Sequence, residues 1–290
     1  MLYMLPEEIF QFFKTYINPV RISSESLTGG GVIAIVDGNP ALWGKERYGY
    51  VVSSPDMLVD LEYEKIVICN FGSADEIKDR LTNELSIPVD KINLSEQEII
   101  RFLRERFVTD FADVVYREGI SGSIAEGGVF KGDFAAHINK CFPDRKLWLF
   151  DTFGGFDEKD VDADIKLGFS TGTEGLFLNY PYVNEIVRKM ANPQNLIVKK
   201  GVFPDSTKQD KELESEEFVF VNLDFDLYEP TIAGLKYFYP KMVHGGIILI
   251  HDFFTEFFAG AQQAVREFCS EYEIRYTPIG DGFSVAITKQ

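Results

Sequence analysis

The stretch that most constrains this chain is Ser121–Ile138, SGSIAEGGVFKGDFAAHI, with the segment that follows it, KLWLFDTFGGF at Lys146–Phe156. The first part reads as a short strand ending at Glu126, a glycine turn, and a helix from near Asp133. The second reads as a buried strand, Leu147–Phe150, with Asp151 at its carboxyl end. Strand, glycine turn, helix, strand and acid is the opening of a nucleotide-type α/β site. Gly127, Gly128 and Gly132 let the backbone approach a ligand with no Cβ in the way. The free amides at the helix start can hold an anionic group. Asp151 sits where a carboxylate can accept both hydroxyls of a ribose.

The residues of the turn discriminate between ligands. A dinucleotide fingerprint puts glycine at its first, third and sixth positions, and the third here is Val129. Glu126, just before the turn, repels a phosphate. S-adenosylmethionine (SAM) has no phosphate, and its ammonium and carboxylate suit Glu126 and the helix start. SAM is therefore expected ahead of NAD. The alternative is that the glycines serve only a tight βα turn.

With 290 residues the chain has room for one large domain or two modest ones. A net charge of −17 offers no basic stripe for a nucleic-acid backbone. The longest apolar run, near Ile247–Ile250, is too short to span a bilayer, and MLYMLPEEIFQFF lacks the basic start of a signal peptide. Neither nucleic acid nor membrane is expected as a partner. Cys69, Cys141 and Cys269 are odd in number and lie in apolar or helical contexts, so no disulfide framework and a cytoplasmic location are expected.

Two domains are expected, 1–94 and 95–290. Residues 1–27 read as a helical or irregular lead-in. Residues 28–93 have an α/β rhythm of their own. It runs through a strand at Gly31–Val36, the turn Asp37-Gly38-Asn39-Pro40, an extended Tyr50–Ser53, a strand at Lys65–Cys69 and a helix at Ala74–Leu85. Val32–Ile92 resembles the small Rossmann-like module found beside sugar-modifying enzymes, with Thr28-Gly29-Gly30-Gly31 as the remnant of its glycine loop. A packing, oligomerisation or substrate-shaping role is expected for it rather than a second nucleotide site. Ser95–Arg117 reads as one long helix opened by a capping box, Ser95 with Glu98.

Strands and helices alternate from residue 120. Thr152–Gly175 reads as a long polar loop, either a lid over substrate or a surface insertion. A helix at Leu176–Ala191 and a strand at Asn195–Val198 follow, the latter leading into Gly201 and Val202. Next come a strand at Glu217–Leu223, a helix at Pro230–Tyr239, a turn at His244-Gly245-Gly246, a strand at Ile247–Ile250, a helix at Ala259–Tyr272 and a closing pair of strands.

A second constellation begins at two strand ends, NLDFDLYE at Asn222–Glu229 and IHDF at Ile250–Phe253. Ligands bind at the carboxyl edge of such sheets. If those strands are neighbours, Asp224, His251 and Asp252 converge. Two carboxylates and an imidazole make a candidate site for a divalent cation, Mg²⁺ or Mn²⁺. Singly, the two acids could instead cap helices and the histidine could be a bonded core residue.

LDFDLYEPT, YPKMVHGGIILIHDF and GAQQAVREF, with AEGGVFKGD and WLFDTFGGF upstream, resemble the macrocin O-methyltransferase family of sugar-modifying enzymes over roughly Phe107–Lys289. The resemblance implies a class I SAM-methyltransferase (Rossmann-like) fold, a seven-stranded sheet with its last strand antiparallel, here preceded by the small α/β module. It implies a homo-oligomer, dimeric or larger, that needs a divalent cation and methylates sugar hydroxyls. Its metal ligands fall on Asp224, His251 and Asp252; His251 departs from the aspartate usual in the family. Its SAM positions fall on the glycine turn, on Asp151, Thr152 and Phe153, and on Gly201 and Val202. The expected reaction is O-methylation of a nucleotide-activated sugar for a surface or capsule polysaccharide, with Asp224 as general base. A catechol-type or natural-product O-methyltransferase, a SAM-binding scaffold without turnover, and a nicotinamide oxidoreductase are the rivals.

Overall fold

A computed structural model describes residues 34–47, 50–63, 65–68, 74–170, 183–208, 210–255 and 258–290. The expected lead-in, the Thr28–Gly31 turn and Cys69 lie outside the described residues. The chain divides into two compact units between Phe102 and Leu103.

The N-terminal unit holds strands β1 (Ile35–Val36), β2 (Glu46–Arg47), β3 (Tyr50–Ser53), β4 (Ile66–Val67) and β5 (Ile92–Asn93), and helix α1 (Ala74–Asn83). β1 runs parallel to β3, β2 antiparallel to β3, and β4 parallel to β5. Ile77 and Leu81, four apart on α1, share one face and pack with Val36, Leu58, Ile66, Ile68 and Ile87.

Helix α2 (Ser95–Glu118) crosses the division. The second unit continues with β6 (Ser123–Gly127), α3 (Asp133–Cys141), β7 (Leu147–Asp151), α4 (Glu158–Leu167), α5 (Val183–Lys189), β8 (Leu196–Lys200), α6 (Lys211–Ser215) and β9 (Phe218–Leu223). It closes with α7 (Tyr228–Phe238), β10 (Met242–Ile250), α8 (Ala259–Glu271), β11 (Thr277–Pro278) and β12 (Val285–Thr288). Its seven strands lie in the order β11-β12-β10-β9-β6-β7-β8. β10, β9, β6, β7 and β8 are parallel, and β12 is antiparallel to both neighbours, as expected for the last strand.

Strand alternation divides the core into two layers. Trp148, Phe150, Val221 and Leu223 face Phe238, Val265 and Phe268 of α7 and α8. Leu147, Leu149, Phe220 and Leu249 face Val108, Phe111 and Val115 of α2 and Ala135 and Ile138 of α3. With helices on both sides, a central strand such as β9 is apolar almost throughout and wholly buried. Phe238 has its ring against Phe150, Phe203, Phe218 and Tyr237 and is fully buried. Phe238→Ala is expected to cost about 3–5 kcal/mol of stability, read from denaturant unfolding, since a rigid ring cage cannot close over the space.

Three expectations are corrected. The stretch from Thr152 is not a continuous loop, because α4 lies within it; residues 171–175 are outside the described residues. Asp157 caps α4 by accepting from Lys159 N, and Gly168, at φ +75°, ends it in the left-handed conformation. Its charge-rich composition hid this helix. His244-Gly245-Gly246 is not a turn but part of β10, whose register shifts between Met242 and Ile247. Gly245 at φ +80° bends the strand there, and the backbones of Gly245 and Gly246 stay paired with Lys289. Of the expected Leu176–Ala191 helix, the described part is α5, ending at Lys189.

α4 and α7 meet through acids. Asp164 is buried and accepts the Tyr228 amide at the start of α7 with both oxygens (3.1 and 3.3 Å). Burial, with Asp157, Glu229 and Asp164 nearby, pushes the Asp160 carboxyl up to about 6. A folded-state pKa above the unfolded value of about 3.9 means the native state binds more protons between those values, so stability falls as pH rises through that window. Asp160→Asn is expected to raise the melting temperature at pH 7.5 and to leave it unchanged near pH 3.5. An equal shift at both values would remove this explanation.

No described helix is long and apolar enough to cross a membrane. Cys141 and Cys269 are free thiols.

Candidate active site

The order β8-β7-β6-β9-β10 places the first strand of the second unit at its centre. The chain winds outward through β7 and β8, then returns to β9 on the other side of β6. The reversal point lies between β6 and β9, where an open parallel sheet presents a crevice at its carboxyl edge. Gly127, Gly128, Asp151, Asp224, His251 and Asp252 lie at or next to that edge.

On the β6 side the glycines are set by packing. Asp224 N donates to Gly127 O at 2.7 Å, bringing the chain after β9 across the turn. Gly128 is at φ +80°, and a Cβ there would lie 1.9 Å from Asp224 O; one at Gly127 would lie 2.3 Å from the Phe225 ring. Gly132, the residue before α3, is at φ +76° against Ile186. Asp151 pins the same turn. Its Oδ2 accepts from Val129 N (2.7 Å) and Phe130 N (3.1 Å), and its Oδ1 from Phe153 N (2.6 Å). A carboxylate has about four lone-pair positions, so three amides leave room for one hydroxyl. Thr152 closes the next turn, its hydroxyl donating to Gly155 O and accepting from Gly154 N. Gly201 N donates to Asp151 O at 2.9 Å, which brings Gly201 and Val202 from β8 to this edge.

Glu126 takes a place the sequence did not disclose. It is 1% exposed, on the sheet face beneath the turn rather than among its amides. Its Oε1 accepts from Asn222 Nδ2 at 3.0 Å, while Oε2 is buried with no protein partner. Burial raises its carboxyl well above the usual carboxylate range, against the pull of the Arg104 charge.

On the β9–β10 side the register pairs Ile250 with Leu223, so the residues that follow each strand meet. His251 Nδ1 lies 3.1 Å from Asp224 Oδ1 and 2.8 Å from Asp252 Oδ2. The imidazole stacks on Phe283, ring centroids 5.7 Å apart. One ligand atom from each of Asp224, His251 and Asp252 lies within 4.8 Å of the others. Burial and the Arg104 charge press His251 toward neutrality, but Asp224 and Asp252 outweigh them and push its pKa up to about 10. Burial would raise Asp224, but the His251 and Arg104 charges and their hydrogen bonds hold it well below the usual carboxylate range. Burial, then the neighbouring Asp252, raises Asp226 well above that range. Acids crowded around one imidazole, with oxygen donors in the majority, fit a hard divalent cation.

Arg104 was missed in the sequence. Its Nη2 donates to Asn222 Oδ1 (3.0 Å) and Asp224 Oδ2 (2.9 Å), and its guanidinium lies 3.9 Å from the centre of the Phe134 ring. The signal was present. Ile100, Val108, Phe111 and Val115 form the buried stripe of α2, and Arg104 is the charge within it.

Fold and edge together define the class I methyltransferase architecture: a seven-stranded sheet with an antiparallel last strand, a glycine turn after its central first strand, and acids at the carboxyl edge beside it. The profile of the macrocin-O-methyltransferase (TylF) family matches residues 100–282. The chain belongs to that family. It is 26% identical over 178 residues to mycinamicin III 3''-O-methyltransferase of Micromonospora griseorubida, covering 55% of this chain and 63% of the relative. It is 25% identical over 174 residues to 8-demethyl-8-(2,3-dimethoxy-alpha-L-rhamnosyl)-tetracenomycin-C 4'-O-methyltransferase of Streptomyces olivaceus, covering 57% and 62%. The chain thus spans somewhat under two thirds of the length of these curated relatives. Among solved structures, the O-methyltransferase NovP aligns with a TM-score of 0.52 at 20% identity, over 65% of this chain and 80% of that one. The calicheamicin methyltransferase CalS11 aligns with a TM-score of 0.52 at 23% identity, over 76% and 94%.

Proposed function

We propose that this protein is a SAM-dependent O-methyltransferase acting on a sugar hydroxyl, with a divalent cation at the β9–β10 edge. The observation that carries the reading is the convergence of Asp224, His251 and Asp252 beside the glycine turn and Asp151, across the reversal point of the sheet. Family membership supports the reaction class, and the names of both curated relatives describe O-methylation, one of them of a rhamnosyl-bearing compound.

In this reading the turn Gly127–Gly132 and the start of α3 receive the amino-acid end of SAM, and Asp151 takes a ribose hydroxyl. Glu126, next to the turn, would accept from the ammonium through Oε2, the bound positive charge favouring its ionised form. Gly201, Val202, Thr152 and Phe153 shape the wall beyond Asp151. Asp224, His251 and Asp252 would hold the cation, Mn²⁺ or Mg²⁺. When bound, such a cation would lower the pKa of the acceptor hydroxyl and help to orient it. Asp224 takes the hydroxyl proton, and the oxygen attacks the SAM methyl in line, leaving S-adenosylhomocysteine. Arg104 and His251 make Asp224 a weak base in the free protein. Its proton-accepting role therefore requires one of these cationic partners to give way when the site is filled.

A nucleotide-activated sugar of surface-polysaccharide biosynthesis is the proposed acceptor, in a cytoplasmic homo-oligomer. The N-terminal unit is assigned a packing, oligomerisation or substrate-shaping role. The test is S-adenosylhomocysteine release from SAM with a panel of nucleotide sugars, run with Mn²⁺, with Mg²⁺ and with EDTA. Metal-dependent release and a methylated sugar in the pool are expected. SAM binding without release on any sugar, or release unaffected by EDTA, would sink the corresponding half of the reading.

A further inference from the structure

Arg104 enters the acid edge from α2, whereas Asp224, His251 and Asp252 follow strand ends. Its side chain is only 12% exposed. The contacts it makes are selective. Nη2 bridges Asn222 Oδ1 and Asp224 Oδ2, and the guanidinium face is held against Phe134. Asp224 Oδ1 is left to His251. The two oxygens of Asp224 are thereby made inequivalent, one locked by Arg104 and the other turned toward His251 and Asp252. Asn222 extends the chain of contacts, donating to Glu126 Oε1. A line of hydrogen bonds therefore runs from the sheet face under the glycine turn to the acid edge. Within it Arg104 Nε is buried without a protein partner, as is Glu126 Oε2.

An arginine here is costly to a cation site. A fixed positive charge in contact with one of the carboxylates repels a dication bound to that carboxylate. If the cluster had only to hold a cation tightly, an uncharged donor at position 104 would serve better. The fork of a guanidinium offers geometry that neither a lysine nor a neutral side chain reproduces.

We propose that Arg104 is a positioning residue. It holds Asp224 by Oδ2 so that Oδ1 alone is turned toward His251 and Asp252, and it does so at the expense of cation affinity. This rests on the O-methyltransferase reading of the site.

The test uses full-length protein and three variants, Arg104→Met, Arg104→Lys and Arg104→Ala. Mn²⁺ alone is titrated by the paramagnetic resonance signal of the free ion, without SAM or acceptor. Arg104→Met is expected to bind Mn²⁺ about tenfold more tightly, because the repelling charge is gone. Its kcat for S-adenosylhomocysteine release should fall about 10²-fold, the effect of a misplaced catalytic group, with KM for SAM little changed. Arg104→Lys keeps the charge but not the fork, so Mn²⁺ affinity should stay at the wild-type value while kcat is still reduced. Millimolar guanidinium should restore part of the kcat of Arg104→Ala, and ethylammonium should not.

A residue that merely props the fold would weaken Mn²⁺ binding and turnover together and would not respond to guanidinium; that pattern overturns the proposal. So does wild-type kcat in Arg104→Met, or no Mn²⁺ binding by either wild type or that variant. Should the wild type turn over no acceptor, the O-methyltransferase reading fails separately. The Mn²⁺ titration then decides alone: tighter binding by Arg104→Met supports the opposition of Arg104 to a cation, and unchanged or weaker binding overturns it.

Discussion

Asp224→Asn is expected to abolish methyl transfer, by a factor on the order of 10³ or more in kcat, while leaving SAM affinity close to the wild-type value. The substitution keeps the shape of the side chain and removes its charge. Three consequences follow from that one change. The acid edge loses one of its two carboxylate ligand atoms, so Mn²⁺ binding should weaken sharply. The reacting hydroxyl loses its proton acceptor. His251 keeps one carboxylate partner, Asp252, instead of two. None of these touches the amides of the glycine turn or the Asp151 carboxylate, which hold the SAM half of the proposed site. Isothermal titration with SAM and with Mn²⁺, beside a turnover assay, separates the halves. Full activity in Asp224→Asn would remove both the cation and the proton-accepting roles of this residue. Loss of SAM binding would mean that the two halves cannot be treated separately.

Gly128→Ala should be strongly damaging, and for a reason that lies outside ligand binding. The left-handed conformation costs an alanine about 1–2 kcal/mol on its own. At Gly128 the added Cβ would also lie 1.9 Å from the carbonyl oxygen of Asp224, which is backbone and cannot swing aside. Either the turn lifts or the chain after β9 moves, and both halves of the proposed site hang on that crossing. Gly119 provides the control. It too has positive φ, +65°, but nothing lies within 4 Å of a Cβ built there. Gly119→Ala should lose only the conformational cost. Gly128→Ala should lose clearly more in thermal unfolding and about 10²-fold in kcat, the penalty of misplacing reacting groups by about an ångström. Equal losses of stability in the two variants would show that the crossing is not tight.

Several elements were legible because local chemistry alone determines them. The helix from Asp133 announces itself by a glycine turn and an amphipathic run. β7 and β9 are almost wholly apolar segments of strand length, as expected of central parallel strands. An acid or histidine directly after such a segment has to lie at the carboxyl edge, so Asp151, Asp224, His251 and Asp252 could be placed before any coordinates. α4 was less legible, since ten residues dominated by charge look like loop until the Asp157 cap and the Gly168 terminator are recognised. The strand through His244-Gly245-Gly246 was hidden by two glycines that mark a bulge as readily as a turn.

What the sequence by itself determined, then, was which residues belong to the carboxyl edge, because strand period and length are properties of neighbouring residues. What the tertiary structure alone decided was which of them meet. Arg104 and Asp224 are 120 residues apart, and Asn222 and Glu126 are 96 apart. No local pattern encodes those contacts. They follow from β9 returning to lie beside β6, and from α2 packing over that face. The same return explains Gly127 and Gly128, which read as a ligand loop in one dimension. In three they are the places where the backbone after β9 crosses too close for any side chain. Distance along the chain carries no information about proximity until the sheet order is known, and the sheet order is a property of the whole buried core.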